Sequence, residues 1–148
     1  MGLIMSRVVG AGLVGSVAVL ALSRLPNVEI VAYEKSAIAR EAGAWVSLTV
    51  TGLKVLTKLI PPSEINDIVY RPSDGGVYVT RHWRTGDSLL RRYSSEELRE
   101  DFVQARTHRW PLLRLIRKHI PEGSTKYGRR VVDINPADQG AKLVFKDG

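Results

Sequence analysis

The chain has 148 residues, 44% of them hydrophobic, and a formal net charge of +7. This length suits one ordinary domain or the first part of a larger protein, and the apolar fraction is sufficient for a core. The absence of cysteine excludes disulfides, thiolate metal sites and cysteine nucleophiles, and the dispersed histidines suggest no metal cluster. No apolar run is long enough, without a charge or a helix-weakening glycine, to predict a membrane span, so we expect a soluble, cytoplasmic protein.

The basic residues form short clusters after Arg71 that are mixed with apolar residues. A positive balance is compatible with nucleic acid, an anionic membrane surface or acidic small molecules as partners. Such clusters are typical of the solvated faces of a folded domain, and no nucleic-acid-binding motif accompanies them. We therefore expect a small-molecule partner, with no nucleic acid and no membrane.

The segment Leu3–Glu34 predicts a dinucleotide-binding βαβ unit. An apolar strand leads into the glycine sequence Gly10–Gly15, which is followed by a helix rich in Ala, Val and Leu, a second strand at Val28–Tyr33, and an acid. A signal peptide is the alternative interpretation of the apolar run Leu13–Leu22. The three glycines within the segment and the acid at the expected distance argue against it.

Each glycine of this unit has a separate predicted role. Gly10 permits a tight turn, Gly12 lets the backbone approach a pyrophosphate, and Gly15 lets helix and strand pack closely. The positive end of the helix dipole favours phosphate at the loop. Glu34 is placed to accept hydrogen bonds from ribose hydroxyls.

The middle of the chain predicts a loop, a short helix and a hairpin. Lys35–Ala44 is polar and small, without a clear period, and favours a loop. Apolar residues recur at helical spacing in Thr49–Ile60, and Pro61 stops the pattern. Two β-favouring runs at Val77–Trp83 and Ser88–Tyr93 flank a turn and predict a hairpin.

The last third predicts two helices and two strands. One helix starts at Ser94–Glu97, and the next has Thr107 as its cap and Pro111 in its first turn. Extended runs follow at Ser124–Ile134 and Ala141–Phe145. The basic residues predicted to face solvent from the second helix are Arg114, Arg117 and Lys118. Because the final hairpin ends on a turn and leaves an unpaired edge, we expect a truncated protein.

Four motifs together point to one family. They are Val8–Gly15, Val31–Lys35, Arg40–Ala44, and His108-Arg109 followed by Leu112. With these motifs, nearly all of the chain resembles the N-terminal half of the flavin-dependent monooxygenases of the aromatic-hydroxylase type, relatives of salicylate and para-hydroxybenzoate hydroxylases. The first two motifs occur in many FAD and NAD proteins, whereas the last two at these intervals are more particular to the family.

The resemblance implies an α/β fold with a Rossmann-like FAD-binding βαβ domain and the start of a β-rich substrate domain. The FAD-binding domain, incomplete here, would comprise residues 1–60 and 94–148, with a substrate-side hairpin in residues 61–93. The implied cofactors are FAD and, as reductant, NAD(P)H, and the implied substrate is a small aromatic molecule hydroxylated with O2. No catalytic side chain and no metal ligand are implied.

The resemblance also implies which residues bind the cofactor. The glycines would hold the pyrophosphate, Glu34 the adenosine ribose, Arg40 and Arg109 the phosphate or ribitol region, and Val131 would lie beside the adenine. The full implied set is Gly10, Gly12, Gly15, Glu34, Lys35, Arg40, Arg109 and Val131.

The sequence departs from the family pattern at several points. Trp45 stands where relatives carry glycine, and Val50-Thr51 replaces a Pro-Asn pair. The family's Asp-Gly and Gly-Asp motifs would fall after Gly148, so we expect weak FAD binding or impaired turnover. An NAD-dependent Rossmann oxidoreductase and an inert nucleotide-binding module remain alternatives, and the aromatic substrate, the choice between NADH and NADPH, and the oligomeric state stay open.

Overall fold

The computed structural model describes residues 2–37, 43–71, 77–93, 105–138 and 140–147. The predicted helix start at Ser94–Glu97 lies outside these ranges. The elements in chain order are β1 (Ile4–Val9), α1 (Leu13–Leu22), β2 (Val28–Glu34), β3 (Trp45–Leu48), α2 (Val50–Leu59), α3 (Pro62–Asn66), β4 (Val77–Arg81), β5 (Ser88–Tyr93), β6 (Ala105–His108), α4 (Arg109–Lys118), β7 (Thr125–Tyr127), β8 (Val131–Ala137) and β9 (Gly140–Phe145).

The chain divides into two compact units. The first comprises Met1–Ala44 with His108–Gly148, and the second comprises Trp45–Thr107. The assignment of residues 61–93 to a substrate domain stays a prediction. No helix within the described ranges is long and apolar enough to cross a lipid bilayer.

A parallel sheet organises the first unit. Its strand order is β1-β2-β7, and β1 pairs with β2 from Ile4 opposite Val28 to Val9 opposite Tyr33. Parallel neighbours require a crossover connection, which α1 supplies. The predicted βαβ unit and the α/β fold class are therefore confirmed.

The core of this unit lies between the sheet and α1. Its fully buried members are Ala11, Val19, Ile30 and Ala32, and partly buried Val8, Leu22, Val28 and Ile120 pack against them. Helix α4 also packs on α1 and buries Leu112, Leu113, Leu115 and Ile116. Full burial of each such Leu, Ile or Val side chain contributes about 1.5–3 kcal/mol. This packing fixes the glycine loop, which joins β1 to α1.

The second unit combines α2 and α3 with two-stranded sheets. Thr49 caps α2 by accepting a hydrogen bond from the Gly52 N–H at 3.2 Å, as suits a hydroxyl residue at a helix start. Strands β4 and β5 form the predicted hairpin, antiparallel from Val77 opposite Tyr93. Strands β3 and β6 pair with each other; neither they nor α3 were predicted from the sequence.

Thr107 is not a helix cap, contrary to the sequence prediction. It lies in β6, is buried, and donates its hydroxyl hydrogen bond to the Ile68 carbonyl at 2.7 Å. His108 occupies the N-cap position of α4 without a side-chain hydrogen bond to the helix. The antiparallel bridge between Arg106 and Tyr70 keeps the backbone extended here. It satisfies backbone N–H and C=O groups that would lack these partners if a helix began at Thr107.

The predicted run Ser124–Ile134 is interrupted. Strand β7 ends at Tyr127 because Gly128 adopts a φ of +71°, which is left-handed and favours glycine. Strand β8 then continues through Pro136, so the turn before β9 is shorter than predicted. Proline is tolerated at an edge position that donates no ladder hydrogen bond.

Candidate dinucleotide site

Gly10 makes the turn out of β1. Its φ is +94°, a left-handed value that residues with a Cβ rarely adopt. Its N–H donates to the Tyr33 carbonyl at 2.8 Å, which ties the loop to the end of β2. The predicted tight turn is therefore present, and it places the next residues above the carboxyl ends of the parallel strands.

Glycine suits positions 12 and 15 for different reasons. A Cβ on Gly15 would overlap the carbonyl oxygen of Gly10 and lie 3.2 Å from Val8 Cγ1, so helix and strand pack closely here, as predicted. A Cβ on Gly12 would meet only Arg109 Nη2, at 3.9 Å. Space is thus open in front of Gly12, where a side chain would otherwise project.

The N-terminus of α1 presents backbone donors to this space. Gly12 is the N-cap residue and has no side-chain cap hydrogen bond. Within the described ranges, no acceptor pairs with the N–H groups of Gly12, Leu13 or Val14. Free N–H groups and the positive end of the helix dipole form an anion-binding site, so this end of α1 suits a phosphate group.

Glu34 lies beside the loop and is held by backbone donors. Its Oε2 accepts from the Ala11 N–H at 2.9 Å, and its Oε1 accepts from the Ser36 N–H at 2.9 Å. Burial opposes ionisation, but the hydrogen bonds from Ser36 and Ala11, with the positive charge of Arg117, hold the pKa of Glu34 below its ordinary value. The carboxylate is therefore ionised and fixed in orientation, with lone pairs left for ribose hydroxyls.

Arg109 joins two of the predicted motifs. Its backbone N–H donates to the Ala44 carbonyl at 3.1 Å. A Cβ on Gly43 would lie only 2.6 Å from the Cβ of Arg109, so glycine is required where the two segments meet. The structure thus places the end of the Arg40–Ala44 motif against the His-Arg motif, and the Arg109 guanidinium near Gly12.

The other predicted site residues are less closely grouped. Lys35 follows Glu34 and is exposed. Val131 begins β8 opposite Phe145, and the nearby Arg129 N–H donates to the Glu34 carbonyl at 3.0 Å. Arg40 lies outside the described residues.

Three residues at the loop were not predicted as part of the site: Ser16, Ser36 and Arg117. Arg117 was predicted to face solvent, which is wrong, because its Nη2 donates to the Ala11 carbonyl at 2.9 Å in a partly buried contact. A signal was available in the helical spacing, since Leu113, Arg117 and Ile120 follow i, i+4 and i+7 along the buried side of the helix. Ser16 and Ser36 gave no comparable signal.

The residues present fit a dinucleotide. The space in front of Gly12, the N–H groups of α1 and the fixed carboxylate of Glu34 match the needs of a pyrophosphate and a ribose. Within the described ranges, no group of three or more His, Asp or Glu side chains is arranged to hold a metal ion.

Several known proteins are similar to this chain in sequence or in fold. No family model matches the chain. Salicylate hydroxylase of Pseudomonas putida is 23% identical over 141 residues, which are 95% of this chain and 32% of that protein. A salicylate hydroxylase substrate complex has a TM-score of 0.73 at 22% identity, covering 99% of this chain and 33% of that one.

Two further solved structures have similar folds. The tetrameric form of 2-methyl-3-hydroxypyridine-5-carboxylic acid oxygenase has a TM-score of 0.75 at 20% identity, covering 99% of this chain and 36% of that one. HpxO of Klebsiella pneumoniae, complexed with FAD and uric acid, has a TM-score of 0.72 at 21% identity, covering 98% and 36%. The chain therefore spans about a third of the length of the proteins it matches. The predicted resemblance is confirmed: this chain has the fold of the corresponding part of the flavin-dependent monooxygenases of the aromatic-hydroxylase type.

Proposed function

We propose that this chain binds FAD as the N-terminal part of a monooxygenase that hydroxylates a small aromatic substrate with NAD(P)H and O2. The glycine loop and Glu34 serve NAD and FAD equally well. The observation that favours FAD is the close contact of Gly43 with Arg109, because it joins the two motifs that are particular to the aromatic-hydroxylase family and points Arg109 toward the loop. The names of the similar proteins, and the FAD in one of them, support the same choice.

Each residue of the site has a proposed role in binding. The pyrophosphate lies against the N–H groups of Gly12 and its neighbours, and the adenosine ribose donates hydrogen bonds to Glu34. Arg109 contacts a phosphate or ribitol oxygen, because a guanidinium donates several hydrogen bonds and keeps its charge when partly buried. Arg40 is proposed to contact the same phosphate or ribitol region, Lys35 belongs to the proposed set beside Glu34, and Val131 borders the adenine.

The chain's own contribution to the reaction is to bind and orient the cofactor. When bound, FAD would supply the redox and oxygen chemistry, with NAD(P)H as the source of electrons. No side chain of this chain is proposed as a nucleophile or as a metal ligand. Aromatic acids are the proposed substrates, since salicylate hydroxylase and the pyridine-carboxylic acid oxygenase are named for such molecules. A cytoplasmic location is part of the same proposal.

A fluorescence titration of the purified chain with FAD tests the proposal. We expect saturable binding, weakened about 10- to 100-fold in Arg109→Ala by the loss of charge-assisted hydrogen bonds. Gly12→Ala should weaken binding about tenfold or more because its methyl group fills the space for the pyrophosphate. Arg114→Ala, an exposed arginine on the same helix, is the matched control and should bind as the parent does.

Two outcomes would contradict the proposal. Unchanged FAD affinity after both Arg109→Ala and Gly12→Ala would show that FAD does not bind at this site. Tighter binding of NADH than of FAD would favour an NAD-dependent oxidoreductase. Oxygen uptake by the flavin-loaded chain with NADH or NADPH and a panel of phenolic acids then tests the reaction itself.

A further inference from the structure

The Ala11 carbonyl accepts two side-chain hydrogen bonds from below the glycine loop. Ser16 Oγ donates at 3.2 Å and Arg117 Nη2 donates at 2.9 Å. Ser16 is only 1% exposed, so its hydroxyl has no access to bulk water. The Ala11 N–H in turn donates to Glu34, so both peptide groups of Ala11 are held by side chains.

The fixed carbonyl determines where the next N–H points. The Ala11–Gly12 peptide is planar and trans, so its C=O and N–H point in opposite directions. With the carbonyl directed at Ser16 and Arg117, the Gly12 N–H points to the other side of the loop. It has no acceptor there among the described residues, and a Cβ on Gly12 would meet only Arg109 Nη2.

Arg117 is held firmly beneath the loop. Its guanidinium lies 5.5 Å from the ring centroid of Tyr127, within cation–π range. Its Nε is buried and, in the part of the chain that is described, has no hydrogen-bond partner. An arginine that leaves a buried N–H unpaired loses part of its hydration, and the contacts of Arg117 with the Ala11 carbonyl and the Tyr127 ring offset part of that loss.

We propose that Arg117 is a positioning residue for the pyrophosphate, which it serves by holding the Ala11 carbonyl so that the Gly12 N–H is aimed at a phosphate oxygen. A hydrogen bond to a carbonyl also polarises the N–H of the same peptide, which strengthens its bond to an anion. The positive charge of Arg117 adds to the attraction. This inference rests on the proposed function, and it assigns to α4 a role in the loop that is separate from that of Arg109.

Calorimetric titration with ADP and with adenosine tests the inference. Both ligands offer a ribose to Glu34, but only ADP offers a pyrophosphate to Gly12. Arg117→Met removes the charge and the hydrogen bond at similar volume, and we expect it to weaken ADP binding about tenfold while adenosine binding stays the same. Arg114→Met is the matched control on the same helix and should leave both affinities unchanged.

The amide signal of Gly12 provides a second readout without ligand. Loss of the hydrogen bond to the Ala11 carbonyl should shift the Gly12 N–H proton upfield in Arg117→Met and leave it in place in Arg114→Met. If Arg117→Met does not fold, Arg117→Lys carries the test, because it keeps the charge but not the planar donor group, and it should lose part of the ADP affinity.

The outcomes separate this inference from the proposed function. Equal losses of ADP and adenosine affinity in the Arg117 variants would show a general structural role and overturn the inference. An unchanged ADP affinity with an unshifted Gly12 amide would also overturn it, while FAD binding by the parent chain would leave the proposed function intact. If the parent chain binds neither FAD nor ADP, both proposals are overturned.

Discussion

Glu34 makes part of the stability of this chain sensitive to acid. In the unfolded chain its carboxyl group has a pKa near the ordinary 4.5, and in the folded chain the pKa is lower. Its ionisation therefore favours folding, and this contribution is fully present above pH 4.5 and is lost as the pH falls through the folded value. The carboxylate contributes through its two backbone hydrogen bonds at the loop.

Replacement of Glu34 by Gln tests this contribution. At neutral pH we expect a free energy of unfolding lower by about 1–2 kcal/mol, because the amide cannot accept from both backbone N–H groups as a carboxylate does. The difference from the parent chain should shrink below pH 4.5. Urea denaturation across this range measures it, with the exposed Glu122→Gln as control. A difference that does not change with pH would contradict the account.

At the scale of residues, the glycines were predictable, whereas helical spacing could place Arg117 on the buried side of α4 but could not show that it contacts the Ala11 carbonyl. Gly10, Gly12 and Gly15 follow a spacing whose physical reasons are local to one turn, so the sequence is sufficient to assign them. Arg117 acts across more than a hundred residues of sequence, and its charge favoured a solvent-facing interpretation. Its role depends on the packing of α4 against α1, which no local pattern specifies.

At the scale of elements, helix α2 offers a direct test of local stability. Thr49→Ala should lower the free energy of unfolding by about 1 kcal/mol, because the Gly52 N–H loses its cap acceptor. Gly52→Ala should raise it by about 0.5–1 kcal/mol, since a helical glycine costs conformational entropy and a Cβ here would approach only Thr49 Oγ1, at 3.6 Å. Chemical denaturation measures both, and a change of the same sign in both variants would contradict this description.

The elements with strong periodic patterns were predicted, and those without them were missed. The βαβ unit, α2, the β4–β5 hairpin and α4 appear where the sequence places them. The short strands β3 and β6 have no clear alternation, and they form because they pair with each other across a long stretch of sequence. Gly128 interrupts β7 and β8 through its left-handed φ, which an extended run of β-favouring residues did not reveal.

At the scale of the whole molecule, the similar proteins support the fold that the four motifs predicted. The solved structures match nearly the entire chain, at TM-scores of 0.72 to 0.75 for three of them. A fold shared at identities near 20% is compatible with different substrates, so the proposed function rests on the residues of the site. The first unit contains these residues: the glycine loop, Glu34 and Arg109.

The proposed position of FAD is the N-terminus of α1. Amide chemical-shift mapping during titration of the labelled chain with FAD tests it most directly. We expect the largest shift changes at Gly10–Val14 and at Ser36, where the backbone donors surround the proposed pyrophosphate and ribose positions. Saturable binding with no shift changes in these segments, or with changes confined to Trp45–Thr107, would contradict it.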